Sequence, residues 1–211
     1  MKSNNTAPLG SIITGARLLV LPALLCLTPG CTHTMRVNVK PATLGACDRS
    51  PARIALVLDK DLTEYKYTRH AMGDSFVSSL GPPLQDYAKK VTQHVFTEVS
   101  VYPTGGEAAG KADAILIPKV VKFDESYGLW AASKHQVVLI MEWNLKDREN
   151  QKDLWLDSIE ARGEGSMGGV FNYKGKHLKV MQMLFDDLSA KTQKALLESR
   201  EVGQLGTGTP R

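Results

Sequence analysis

The chain has 211 residues, 43% of them hydrophobic and 23% charged, with a formal net charge of +4. This is the composition of an ordinary folded domain rather than a disordered or collagen-like chain. The basic residues are scattered, with no run of five, which argues against a nucleic-acid-binding surface.

In chain order, the first feature is an N-terminal segment with Lys2 and Arg17 ahead of an almost wholly apolar run, Leu18 to Leu27. About ten apolar residues are too few for a spanning helix, which needs about 20. Residues 1–30 therefore read as a secretory signal. The run closes on Leu27-Thr28-Pro29-Gly30-Cys31, with a small residue directly before the cysteine. This resembles a bacterial lipoprotein signal. The resemblance implies cleavage before Cys31, acylation of that cysteine, and attachment to a membrane through the N-terminal lipid. Thr32, His33 and Thr34 follow, with no aspartate after the cysteine. In such proteins this implies the outer membrane, on its periplasmic face. With Cys26 in the signal and Cys31 acylated, Cys47 is left without an internal disulfide partner.

Residues 31–50 hold Pro41, Gly45 and little periodicity, and read as a tether. Residues 51–202 read as one domain, and 203–211 as a disordered tail. Arg53 to Leu58 is a compact apolar run that reads as a buried strand. Leu62 to His70 reads as an edge strand, and Ser75 to Leu80 as a further extended piece. Pro82 suits the first turn of a helix. From Leu84, the spacing of Tyr87, Ala88, Val91, Val95 and Val99 predicts a helix of about 17 residues with one apolar stripe. Strands are expected over 113–123, 136–145 and 154–161, pairing antiparallel through short connections. Pro118 removes a ladder donor, so its strand should be an edge or bulged there. The last helix carries Leu178, Met181, Leu184, Phe185, Leu188, Thr192, Ala195 and Leu196 on one face. Two amphipathic helices need a flat partner. The expected fold is α+β: a two-layer sandwich with both helices on one face of a four- to five-stranded mixed or antiparallel sheet.

The chemistry looks sparse, and no catalytic residue, cofactor or metal is expected. The histidines, at 33, 70, 94, 135 and 177, are isolated in sequence and form no HxH or HExxH pattern. Gly163-Glu164-Gly165-Ser166-Met167-Gly168 fits GxGxxG, but without the βαβ context that dinucleotide binding needs. It reads as a flexible glycine loop. Asp124 with Glu125, and Asp157 with Glu160, read as surface carboxylates. In a meander, alternate loops lie at the same end of the sheet. This brings the loop Ser126 to Lys134 together with the glycine loop Gly163 to Gly175. Tyr127, Leu129, Trp130, Met167, Phe171 and Tyr173 then form an apolar, aromatic tip suited to a partner or to lipid. The competing reading folds these rings back onto the core.

A family resemblance covers most of the chain after Cys31. Its markers are the Gly81-Pro82 start of an amphipathic helix, the passage Val95-Phe96-Thr97-Glu98-Val99 into a strand, and Ala112-Asp113-Ala114-Ile115-Leu116-Ile117-Pro118. The segment Trp143-Asn144-Leu145-Lys146-Asp147, the later Leu154-Trp155 and a long final helix complete it. The chain resembles the envelope lipoproteins around the LPS-assembly lipoprotein and the ABC-type transport auxiliary lipoproteins. That resemblance implies a non-enzyme that supports an envelope-assembly or lipid-transport complex by binding protein. The alternative is a periplasmic lipid- or glycan-binding module, with an envelope hydrolase a distant third.

Overall fold

The computed structural model describes residues 32–40, 42–71, 74–105, 110, 112–127, 134–149, 151–166 and 173–205. The strands are β1 (Thr32–Arg36), β2 (Ser50–Val57), β3 (Lys66–Ala71), β4 (Asp74–Ser79), β5 (Phe96–Tyr102), β6 (Ala114–Tyr127), β7 (Lys134–Asp147) and β8 (Asp153–Ser166). The helices are a single turn α1 (Lys60–Thr63), then α2 (Gly81–Val95), α3 (Tyr173–Glu198) and a short α4 (Arg200–Gln204). Five strands form a mixed sheet in the order β5-β2-β6-β7-β8, and three form a smaller sheet in the order β1-β4-β3. The expected α+β architecture of helices packed on a mixed sheet is what the chain adopts.

β6, β7 and β8 form the antiparallel meander. β7 shows the logic of the core. Val137, Leu139, Met141, Trp143 and Leu145 alternate onto the buried face, as the two-residue period of a strand requires. The stripes of α2 and α3 cover that face with Leu84, Tyr87, Ala88, Val91 and Val95 from one, and Met181, Leu184, Phe185 and Leu188 from the other. Burying each large apolar side chain contributes about 1.5–3 kcal/mol. Pro118 behaves as expected. β2 pairs with β6 only at Ala114–Leu116, so Pro118 lies past that ladder, and a register shift follows between Val120 and Lys122.

Five expectations change. Leu62 and Thr63, expected to open an edge strand, sit in the helical turn α1, and the edge strand β3 starts only at Lys66. The first predicted helix stops at Val95, and Phe96 already has extended backbone (φ −113°, ψ 147°). The β-branched and aromatic run Phe96-Thr97-Glu98-Val99-Ser100-Val101-Tyr102 becomes edge strand β5, parallel to β2. Val99 thus belongs to a strand and not to the helical stripe.

The supposed glycine loop is largely strand, since β8 runs to Ser166. A Cβ on Gly163 would lie 2.2 Å from the Val180 carbonyl oxygen, and one on Gly165 2.8 Å from Val180 Cγ2. These glycines let α3 lie directly on the sheet.

The stretch expected to be a loose tether is laid along the body from residue 32. β1 pairs parallel with β4, and Val37 and Ala42 are buried. Two glutamines of α3 hold it by reciprocal amide pairs. The Lys40 backbone N–H donates to Gln182 Oε1 (2.7 Å), and Gln182 Nε2 donates to Lys40 O (3.0 Å). Gln193 does the same with Gly45, at 3.0 and 2.7 Å. His94 adds to this, with Nε2 2.6 Å from Gly45 O. Cys47 is a free, half-buried thiol. Low hydrophobicity hid this packing, because the strap is held mainly through its backbone. Of the expected tail, Gly203 and Gln204 close α4 and Leu205 is buried, while 206–211 lie outside the described residues.

Candidate functional site

The fold brings together three titratable residues that are far apart in sequence. β6 ends in Glu125 and Tyr127, β7 begins with His135, and the start of α3 carries His177. The register of β6 and β7 pairs Tyr127 with His135. Glu125 stands two residues beyond buried Phe123, in phase with the core face of its strand. His135 has the same parity as Val137, Leu139 and Trp143. His177 stands four residues before Met181 and seven before Leu184, on the apolar stripe of α3. Each element therefore turns a polar residue inward at its last core-facing position.

All three side chains are 3% exposed or less. His135 Nε2 lies 2.9 Å, and His177 Nδ1 3.0 Å, from the same carboxylate oxygen, Glu125 Oε1. The Tyr127 hydroxyl donates to that oxygen too, and stands 3.4 Å from His177 Nδ1. Burial alone would raise the Glu125 carboxyl. Hydrogen bonds from His135, His177 and Tyr127 outweigh it and bring the carboxyl from 4.5 down to about 2. The second nitrogen of His135, Nδ1, is buried with no hydrogen-bond partner among the described residues. These are the donor types that hold a transition metal, and their ligand atoms all lie within 4.8 Å of one another.

A stack of planar groups leads from this cluster towards the N-terminus. The His177 and His135 rings are 5.4 Å apart, and His135 and Tyr127 stack at 4.3 Å. The Arg69 guanidinium of β3 lies 4.1 Å from the Tyr127 ring centre and 5.1 Å from that of Phe76 in β4. Phe76 stacks on His33 at 5.2 Å. The smaller sheet thus caps the cluster end of the larger one, and β1 begins there, beside Ser75.

Sequence reasoning missed this site. Glu125 was expected at the surface, yet it is buried, and only its neighbour Asp124 is exposed. His135 and His177 were read as isolated, but the 41 intervening positions vanish when α3 lies back on the meander. The available signal was parity: a charged or imidazole side chain in phase with an apolar stripe. Of the predicted aromatic tip, Tyr127 is half-buried and turned onto Glu125 and His135. Tyr173 starts α3, with its side chain outside the described part. Leu129, Trp130, Met167 and Phe171 lie outside the described residues, as does Cys31.

The sequence matches no family model and no curated protein. Solved structures do resemble the fold. A Xanthomonas campestris protein of the DUF330 family superposes with a TM-score of 0.51 at 9% identity, covering 76% of this chain and 92% of that one. A minor lipoprotein from Acinetobacter baumannii gives a TM-score of 0.40 at 10% identity, over 70% of this chain and 91% of that one. At such identities the likeness to the Xanthomonas protein shows a shared fold. Among the described residues no helix is long and apolar enough to cross a membrane.

Proposed function

We propose that this protein is a non-catalytic bacterial lipoprotein, anchored to the outer membrane through acylated Cys31, whose body supports an envelope-assembly or lipid-transport complex by binding protein. One observation carries the reading. β1 starts at Thr32, one residue after Cys31, and is hydrogen-bonded into the smaller sheet. A lipid on Cys31 would therefore hold the folded body against the bilayer with no free linker. More than one acyl chain makes such attachment stable. The end held there is the one where β6 ends, β7 begins and β8 passes towards α3. The segments 128–133 and 167–172, with Leu129, Trp130, Met167 and Phe171 in their sequences, join these elements along the chain.

Labelling with a fatty-acid probe tests the anchor. Wild type should be labelled and sediment with membranes, and Cys31→Ser should do neither. An unlabelled wild type in the aqueous fraction overturns the reading. Affinity capture from solubilised membranes tests the surface. Trp130→Ser with Phe171→Ser should lose the captured partner at unchanged Tm.

An apolar cleft supports the lipid-binding alternative. It has a volume of 220 Å³ and lies between the strap and the two long helices, lined by Val37, Val39, Leu44, Tyr87, Val91 and Phe185. A lipid retained in a native mass spectrum, and lost on Val91→Trp, favours it.

A further inference from the structure

We propose that Glu125, His135 and His177 form a binding site for a divalent transition metal, with Zn²⁺ the ion that fits best. The inference goes beyond the lipoprotein reading and stands without it.

The argument begins with valence. A carboxylate oxygen offers about two lone pairs. Here two imidazole nitrogens and a phenol converge on one oxygen, Glu125 Oε1. Hydrogen bonding alone leaves that atom oversubscribed, whereas a cation among the same groups takes one lone pair from each ligand. Distances agree. Tetrahedral zinc with bonds of about 2.0–2.1 Å keeps its ligand atoms about 3.3 Å apart. The two observed nitrogen–oxygen separations of 2.9 and 3.0 Å need open by only a few tenths of an ångström.

Ligand chemistry selects the ion. Two imidazoles with one carboxylate suit zinc and its neighbours, while Mg²⁺ and Ca²⁺ prefer all-oxygen shells. Burial sharpens the case, because a carboxylate removed from water is stabilised strongly by an adjacent divalent cation. The Tyr127 hydroxyl already touches Glu125 Oε1 and faces His177 Nδ1.

The ligands come from β6, β7 and the first turns of α3. A bound ion would therefore clamp the helix start to the meander end. Binding also changes proton positions. With the metal on His135 Nε2 and His177 Nδ1, each ring keeps its proton on the other nitrogen.

The test uses the full, tag-free chain, stripped with chelator and titrated with Zn²⁺ alone. Calorimetry should give one ion per chain with a Kd below about 1 μM, unaffected by excess Mg²⁺. His177→Gln and Glu125→Gln should each weaken binding by at least about 100-fold. His94→Gln, outside the cluster, should leave it unchanged. If the variants fail to fold, ring-nitrogen NMR of the wild type decides. Shifts at His135 Nε2 and His177 Nδ1 on adding Zn²⁺ support the site. Shifts confined to His33 and His70, or no stoichiometric binding, overturn it.

Discussion

Helix α3 passes over two buried regions that solve the problem of burial in opposite ways. Along its middle, Leu184, Phe185 and Leu188 join Trp143, Met141 and Tyr87 in an apolar core. A polar handle there is the Tyr87 hydroxyl, 2.5 Å from Thr192 Oγ1. Burial pushes the Tyr87 phenol up, so it stays neutral. At its start, the same helix contributes His177 to a cluster that buries a carboxylate. A neutral phenol is satisfied by uncharged neighbours. A buried charge needs donors from several elements, and here a hydroxyl and two imidazoles arrive from two strands and a helix. The middle is thus built to be stable by area, and the end by convergence.

The largest expected effect strikes the middle. Trp143 is fully buried and meets the Tyr87 ring edge-on at 6.0 Å. Trp143→Ala should cost about 3–5 kcal/mol in chemical denaturation. A loss under about 1 kcal/mol would mean that the apolar region is not the main source of stability.

Acid should attack the other region selectively. The Glu125 carboxyl falls from 4.5 unfolded to about 2 folded, so its contribution is complete above pH 4.5. That contribution is lost as pH drops towards 2, over an acid limb of about 3 kcal/mol in chelator. Glu125→Gln should flatten this limb. An unchanged pH profile would assign acid sensitivity to other carboxylates.

A steric change probes the ground between the two. Gly163→Ala sets a methyl against the Val180 carbonyl, and the helix must lift. A loss of about 1–3 kcal/mol is expected, with protection from hydrogen exchange falling around Val180 and Leu184. Equal protection in the two proteins would show that the close approach is unnecessary.

Tyr87→Phe keeps the ring and removes the hydroxyl bonded to Thr192. It should cost about 1 kcal/mol, well below any change that strands a charge at the cluster. The smallest effect belongs to the surface. Arg53 Nη2 and Asp113 Oδ1 are 2.7 Å apart but partly exposed. Arg53→Ala should shift the denaturation midpoint least of all these changes, and less still in high salt.

Much of the fold was legible because its elements carry their own period. The 3.6-residue stripe of α3 and the two-residue alternation of β7 each name the face that must be covered. What misled was local ambiguity. Val99 continues the helical spacing from Val95, yet Phe96 to Tyr102 is β-branched and aromatic, and pairing with β2 decided the matter. The strap 32–50 has too few apolar residues to announce itself, since Gln182 and Gln193 grip its peptide groups and not its side chains.

By itself the sequence determined the layered α+β plan, the covered faces and the apolar run ending at Cys31, because these depend on the order and spacing of side chains along the chain. Only the tertiary structure decided that Glu125, His135 and His177 meet, that the glycines of β8 serve helix packing, and that the chain is already folded one residue after Cys31. Each of these depends on distances across the fold between groups remote in sequence, which no local period encodes.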